Sequence, residues 1–201
     1  MNKCESNCDC ACHAMPPRVG EKVGDFTFDI YHKGDDSKTS LANYKGKWLI
    51  LFFYPADFTF VCPTELEDMA NHYEQFKKEG AEVISVSTDT VFVHKAWHDT
   101  SDSIKKIEFP MAADTDHKLS TAFGVLRESG LSDRGSFIID PEGTLQVMEV
   151  TAEGVGRNAA ELLRKLQAAR FVHEHGNNVC PANWKPGGET LEPGMDLVGK
   201  I

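Results

Sequence analysis

The stretch KWLILFFYPADFTFVCPTELEDMANHYEQFKKEG, Lys47 to Gly80, decides how the chain is organised. Lys47 to Tyr54 is almost entirely apolar, and so short an apolar run reads as a strand buried on both faces, as in a parallel sheet with helices on either side. Pro55 ends it. Pro63 suits the first position of a helix, and Leu66, Met69, Ala70, Tyr73 and Phe76 recur with helical spacing until Gly80 stops them. The next segment, AEVISVST from Ala81 to Thr88, completes a strand, helix, strand unit whose crossover is right-handed. Cys62 falls where the first strand has ended and the helix begins.

Working outward, Phe26 to Tyr31 alternates as a strand. Asp89 is placed to cap a helix running through His98, Phe109 to Ala113 reads as a short strand, and Lys118 to Phe123 as a brief helix. Ser136 to Ile139 and Leu145 to Val150 flank the turn residues Asp140-Pro141-Glu142-Gly143 and predict an antiparallel hairpin. A long helix from Asn158 to about His175 follows. A parallel unit, then a hairpin, then a terminal helix is the order of an α/β thioredoxin-like fold, with a central mixed sheet flanked by helices. We divide the chain into a polar leader, 1–23, a domain, 24–175, and an irregular Pro- and Gly-rich C-terminal arm, 176–201. No internal repeat is present.

Composition narrows the function. A chain of 201 residues, 41% hydrophobic, can build one domain core without disulfide staples. Its net charge of -10 and lack of clustered Lys and Arg argue against a nucleic-acid partner. The longest apolar run is far short of the ~20 residues that span a bilayer, and the N-terminus lacks the apolar segment of a signal peptide. A cytoplasmic location is the expectation. Six cysteines in such a chain point to redox or metal chemistry rather than a disulfide framework.

A helix start carries partial positive charge and favours an anion, and a thiolate is one. A helix N-terminus with a nearby arginine can lower a cysteine from a pKa of ~8.5 to below neutral. The bland alternative for Cys62 is a small buried hydrophobe. Its neighbours favour chemistry. The Thr59 hydroxyl can accept from the thiol side or donate to a bound oxygen, and Pro55 stiffens the approach without adding a donor. Glu65 can fold back as in a capping box or orient an arginine. Arg134, opening RGSFIID, is the arginine to pair with it, the alternative being a solvated surface charge. No Cys-x-x-Cys is present, so the helix cannot supply its own second thiol.

PADFTFVCPTE, Pro55 to Glu65, contains the Pro-x-x-x-Thr-x-x-Cys signature of peroxiredoxins, and VCPANWKPG, Val179 to Gly187, resembles the resolving segment of typical two-cysteine members. HKAWH, EVTAEGVGRNA and the ending DLVGKI resemble the peroxidase component of bacterial alkyl hydroperoxide reductases. The resemblance runs from about Val23 to Ile201. It implies a thiol peroxidase in which Cys62 is peroxidatic, Cys180 of a partner subunit is resolving, and Pro55, Thr59 and Arg134 bind the peroxide. Arg157 then pairs with Glu65. Further implications are an antiparallel homodimer, a ring of five dimers, no bound cofactor, and reduction by a flavin-dependent NADH disulfide reductase or by thioredoxin. Members that over-oxidise easily carry a Gly-Gly-Leu-Gly loop and a Tyr-Phe C-terminal helix. This chain has Glu128-Ser129-Gly130-Leu131 and ends at Ile201, which implies fast resolution and resistance to sulfinic acid formation.

The leader lies outside that pattern. Cys4, Cys8, Cys10, Cys12 and His13 put five soft or borderline ligands in ten residues, compatible with zinc or copper(I) binding, with a redox relay, or with incidental thiols on a tail. A metal buffer or a redox-dependent holdase chaperone is therefore the alternative function. Gly154 to Ala159 spells a dinucleotide fingerprint but follows a hairpin, so it reads as a turn and helix start. His94 and His98 share a helix face without a third ligand and read as a surface or packed pair. His173 and His175 read as dipole partners at a helix C-terminus.

Overall fold

The computed structural model describes residues 15–201. Seven strands form one mixed sheet in the order β2-β1-β5-β4-β3-β6-β7: β1 (Thr27–His32), β2 (Asp35–Ser40), β3 (Trp48–Phe53), β4 (Ala81–Ser87), β5 (Met111–Ala113), β6 (Arg134–Ile139) and β7 (Leu145–Thr151). The helices are α1 (Cys62–Lys78), α2 (Val91–Thr100), α3 (Lys118–Ala122) and α4 (Ala159–Glu174). β3, β4 and β5 run parallel, and β6 joins β3 antiparallel. This is the thioredoxin-like architecture expected from the order of elements.

β3 is central, and all six of its residues are buried. Successive side chains of a strand point to opposite faces, and the two core clusters divide accordingly. Trp48, Ile50, Phe52 and Tyr54 pack with Leu66, Met69, Phe76, Leu162 and Leu166 under α1 and α4. Leu49, Leu51 and Phe53 pack with Leu119, Phe123 and Phe137 on the α3 side. Each fully buried Leu, Ile or Phe here contributes about 1.5–3 kcal/mol by leaving water, which fixes the β3 to α1 connection from both sides.

α1 starts one residue earlier than the prolyl signal indicates. Val61 is its N-cap, Cys62 its first residue, and Pro63 the second. Gly80 at φ +75 ends it as expected. Two further features differ from the sequence reading. β2 was not anticipated, because DDSKTS is polar, exposed and on the sheet edge, so nothing in it alternates. Thr90, not Asp89, caps α2, its hydroxyl accepting from the Val93 N-H. Asp89 is engaged instead by the Asp57 N-H and the Ser87 hydroxyl. The end of the leader, 20–23, is bound to the hairpin: Gly20 N-H donates to Leu145, Leu145 N-H to Glu21, and Val23 N-H to Gly143. The last strand of the hairpin, β7, runs to Thr151 and is an edge strand of the sheet among the described residues. Among the described residues no helix is long and apolar enough to cross a membrane.

Candidate active site

Register places the site. Phe52 of β3 stands opposite Ser136 of β6, so two residues further along the antiparallel pair Tyr54 is level with Arg134. The C-terminal end of β3 thus delivers the loop 55–61 and the start of α1 to the first residue of β6. Arg134 is buried there, and its Nη1 donates to Cys62 Sγ at 3.4 Å and to Glu65 Oε2 at 2.6 Å. Its Nε donates to the Glu153 carbonyl at 2.7 Å, which fixes the plane of the fork. Cys62 is fully buried.

Of the two roles open to Glu65, the structure takes the second. Its carboxylate lies between two guanidiniums, accepting from Arg134 and from Arg157 Nε and backbone N-H at 2.9 Å each. Arg157 also donates to the Gly135 carbonyl at 2.8 Å and to Ser136 Oγ at 3.0 Å, and lies 3.5 Å over the Phe52 ring. The side chains of all three are 3% exposed or less. One carboxylate facing two buried cations leaves net positive charge beside the sulfur, where water is scarce and the field is strong. For Arg134, burial lowers the pKa, but the Cys62 hydrogen bond and the Glu65 charge outweigh it and raise the net value. For Arg157, burial dominates and pulls it down.

Pro55 is buried, while Thr59 is half-buried in the loop above the thiol. The Thr59 hydroxyl donates to the Ala56 carbonyl at 2.9 Å, so its remaining capacity is to accept a hydrogen bond from an incoming hydroxyl. Phe58 in the same loop adopts φ +54, a conformation that costs a bulky residue on the order of 1–3 kcal/mol. Its ring rests 5.9 Å from that of Trp97.

A buried polar network behind this loop escaped sequence reasoning. Tyr54 OH donates to Asp57 Oδ1 at 2.7 Å, and His94 Nδ1 lies 2.8 Å from Asp57 Oδ2. His94 Nε2 faces the Ala112 carbonyl at 3.2 Å. Burial pushes the Asp57 carboxyl up, against the opposing pull of His94, and pushes the Tyr54 phenol well up. His94 is therefore the packed histidine of the two readings. His98 also turns inward, to Tyr31 OH and the Ile107 carbonyl. The available signal was Asp57 three residues past a strand-ending tyrosine.

Cys180 lies elsewhere. It is half-buried on the arm, and its thiol donates to the Ala168 carbonyl of α4 at 3.8 Å. Burial pushes this thiol up, while Arg164 pulls the other way. Ala168 is level with the end of α1, because its neighbours Gln167 and Arg170 bond Glu79. Cys62 opens that helix, so most of the length of α1, roughly 20–25 Å, separates the two sulfurs in one subunit. Disulfide geometry needs Cα atoms within about 7 Å.

The remaining candidates divide. Cys4, Cys8, Cys10, Cys12 and His13 lie outside the described residues. The turn lies at Glu153 and Gly154, closed by the Val155 N-H donating to the Ala152 carbonyl; Val155 to Asn158 is irregular, and the Asn158 side chain caps α4 by accepting from Glu161 N-H. His173 pairs with Glu142 at 2.8 Å, close to Asp140, but the Asp140 oxygens already accept from Glu142 and Thr144 N-H and from Gln146. His175 turns back to the Phe171 carbonyl.

Comparison with known proteins places this geometry. The AhpC/TSA family model matches residues 19–148, and that of the C-terminal domain of 1-Cys peroxiredoxin matches 168–196. Alkyl hydroperoxide reductase C of Amphibacillus xylanus is 51% identical, covering 91% of this chain and 98% of the relative. The protein of that name from Salmonella typhimurium is 50% identical over the same shares. The crystal structure of Enterococcus faecalis AhpC superposes with a TM-score of 0.80 at 50% identity, covering 82% of this chain and 99% of that one. Reduced Plasmodium vivax 2-Cys peroxiredoxin superposes with a TM-score of 0.86 at 30% identity, over 90% and 96%. None of these likenesses favours the chaperone or metal-buffer alternative. The chain belongs to the AhpC/TSA family and is a peroxiredoxin, a thiol-dependent peroxidase of the alkyl hydroperoxide reductase C type.

Proposed function

We propose that Cys62 reduces hydrogen peroxide and alkyl hydroperoxides, and that Cys180 of a partner subunit resolves the product. The Cys62 sulfur, as thiolate, attacks the terminal peroxide oxygen, an S-O bond forms, and the O-O bond breaks. Arg134 donates to the reacting oxygens and Thr59 accepts from the peroxide hydroxyl, so the charge on the leaving hydroxide or alkoxide develops against a fixed guanidinium. The leaving group takes a proton and departs as water or alcohol. Pro55 adds a rigid wall with no competing donor. The observation carrying this reading is Arg134 Nη1 shared between Cys62 Sγ and Glu65.

Cys62 is fully buried, so the sulfenic acid reaches a second thiol only after the first turn of α1 opens. The separation of Cys180 from Cys62 within one chain supports resolution between subunits. The edge position of β7 among the described residues, with Met148 and Val150 exposed, supports an antiparallel dimer. Phe58, Phe60 and Phe92 are exposed around the loop and the start of α2, and support assembly of dimers into a ring of five. On this reading the domain 24–175 performs peroxide reduction and the arm 176–201 performs resolution. The disulfide is returned to thiols in the cytoplasm by a flavin-dependent NADH disulfide reductase or thioredoxin, through thiol-disulfide exchange. The test is a Cys62→Ser variant supplied with each reductant: peroxide consumption stops, and a variant consuming peroxide at the parental rate overturns the reading.

A further inference from the structure

Arg164 stands one turn before Ala168 on α4, beside the arm that carries Cys180. Its Nη1 donates to the Trp184 carbonyl at 3.3 Å. Trp184 is buried, its ring 5.1 Å from that of Phe171 on α4, and its indole N-H donates to the Gly188 carbonyl at 3.2 Å. The turn from Cys180 to Gly188 is thus anchored on α4 by an indole whose backbone carbonyl Arg164 holds. Arg164 and Cys180 also line one groove, with Gln146, Val147 and Lys165.

The charges around that groove are unequal. Arg127, Arg134, Arg157 and Arg170 each meet a carboxylate. Lys165, the other cation of the groove, is taken by Glu149 of β7. Arg164 meets no carboxylate among the described residues, in a chain whose net charge is -10. Left uncompensated, its charge is directed at whatever anion forms in the groove, and the one group there that can become an anion is the Cys180 thiol.

We propose that Arg164 is a positioning residue for the second half-reaction, holding the Cys180 turn against α4 and lending its charge to Cys180 as the thiol ionises. The proposal rests on the reading of Cys180 as the resolving thiol. In that step the Cys180 thiolate of one subunit attacks the Cys62 sulfur of the other. The S-S bond forms as the S-O bond of the sulfenic acid breaks, and hydroxide leaves and takes a proton to become water. The Cys180 sulfur is oxidised and the Cys62 sulfur is reduced by the same electron pair. The direction in which Arg164 pulls the Cys180 thiol, against the upward push of burial, agrees with this role.

The test follows decay of the Cys62 sulfenic acid to disulfide in reduced full-length protein after one equivalent of hydrogen peroxide. Rapid quench and mass spectrometry read it from about pH 7 to about pH 11, spanning ionisation of a thiol raised above its ordinary value. Arg164→Gln slows decay about three- to tenfold at neutral pH, displaces the profile to higher pH, and converges with the parent at the alkaline end. Arg164→Lys, which keeps the charge, restores most of the neutral-pH rate. A profile for Arg164→Gln that superimposes on the parent overturns the proposal. So does one lowered by the same factor at every pH and unrescued by Arg164→Lys, because that is the signature of a merely structural role. Cys180→Ser tests the underlying reading separately: decay to disulfide at the parental rate in that variant removes Cys180 from the reaction whatever Arg164 does.

Discussion

The surroundings of Cys62 and Cys180 differ in almost every physical respect. Cys62 is fully buried at a helix start, its sulfur touched by a guanidinium that a carboxylate and a backbone carbonyl hold in place. Cys180 is half-buried on an irregular arm, its thiol donating weakly to one helix carbonyl. The difference suits the roles proposed for the two sulfurs. Breaking an O-O bond needs charge stabilisation already in place, which rigid elements and buried ion pairs provide. Resolving a sulfenic acid needs a thiol that another chain can reach, and a half-buried place on the arm leaves Cys180 open to one once the first turn of α1 has opened.

The comparison breaks first at Cys62. Cys62→Ser abolishes peroxide consumption, while Cys180→Ser still takes one equivalent of peroxide per subunit and then stalls as sulfenic acid. Mass spectrometry after a single addition separates the two, and equal uptake of that one equivalent by both variants removes the distinction. Next in size is Arg134→Gln, which lowers the rate of Cys62 oxidation about a hundred- to a thousandfold, the range seen on losing one fixed transition-state donor. Stopped-flow measurement of the first phase checks it.

Glu65→Gln sharpens the contrast in rigidity. The change leaves two buried guanidiniums without their shared counter-charge, which costs about 3–5 kcal/mol and lowers Tm by roughly 10 °C in a chain of this size. Calorimetry of this variant beside Arg164→Gln, whose guanidinium meets no carboxylate among the described residues, shows a large drop for the first and a small one for the second. The smallest effect is one of pH. The Cys180 thiol is raised above its ordinary 9.0, chiefly by burial, so its reactive thiolate is a minor species at neutral pH. The disulfide-forming phase therefore quickens by up to about tenfold per pH unit between about pH 7 and pH 8, and levels off only above the raised value. A phase that is flat over that range contradicts the assignment.

Much of the rigid half was legible in the sequence. The apolar run of β3, the helical spacing of α1, its Gly80 stop and the Asp140 turn are local signals, and the structure follows them. The role of Glu65 was left between two options because its partners are 69 and 92 residues away, and only the β3-β6 register brings them together. The resemblance supplied Arg157, whose letters in GVGRN carry no such information alone. Tyr54, Asp57 and His94 were missed for the same reason: a buried hydrogen-bond network between a loop and α2 leaves no periodic trace. β2 was missed because an exposed edge strand need not alternate, and Asp89 failed as a cap because a loop N-H had a stronger claim on it. The C-terminal arm was legible mainly as punctuation, its prolines and glycines marking an irregular segment without saying where it lies.

One measurement bears most directly on the division of labour between the two cysteines. Reduced protein is titrated with hydrogen peroxide, run without reductant to separate single from linked chains, and its linkages are mapped by mass spectrometry. The account predicts linked chains joined through Cys62 and Cys180, forming in proportion to peroxide. Linkages that omit Cys62, or a Cys62-Cys180 bond within single chains, would contradict it.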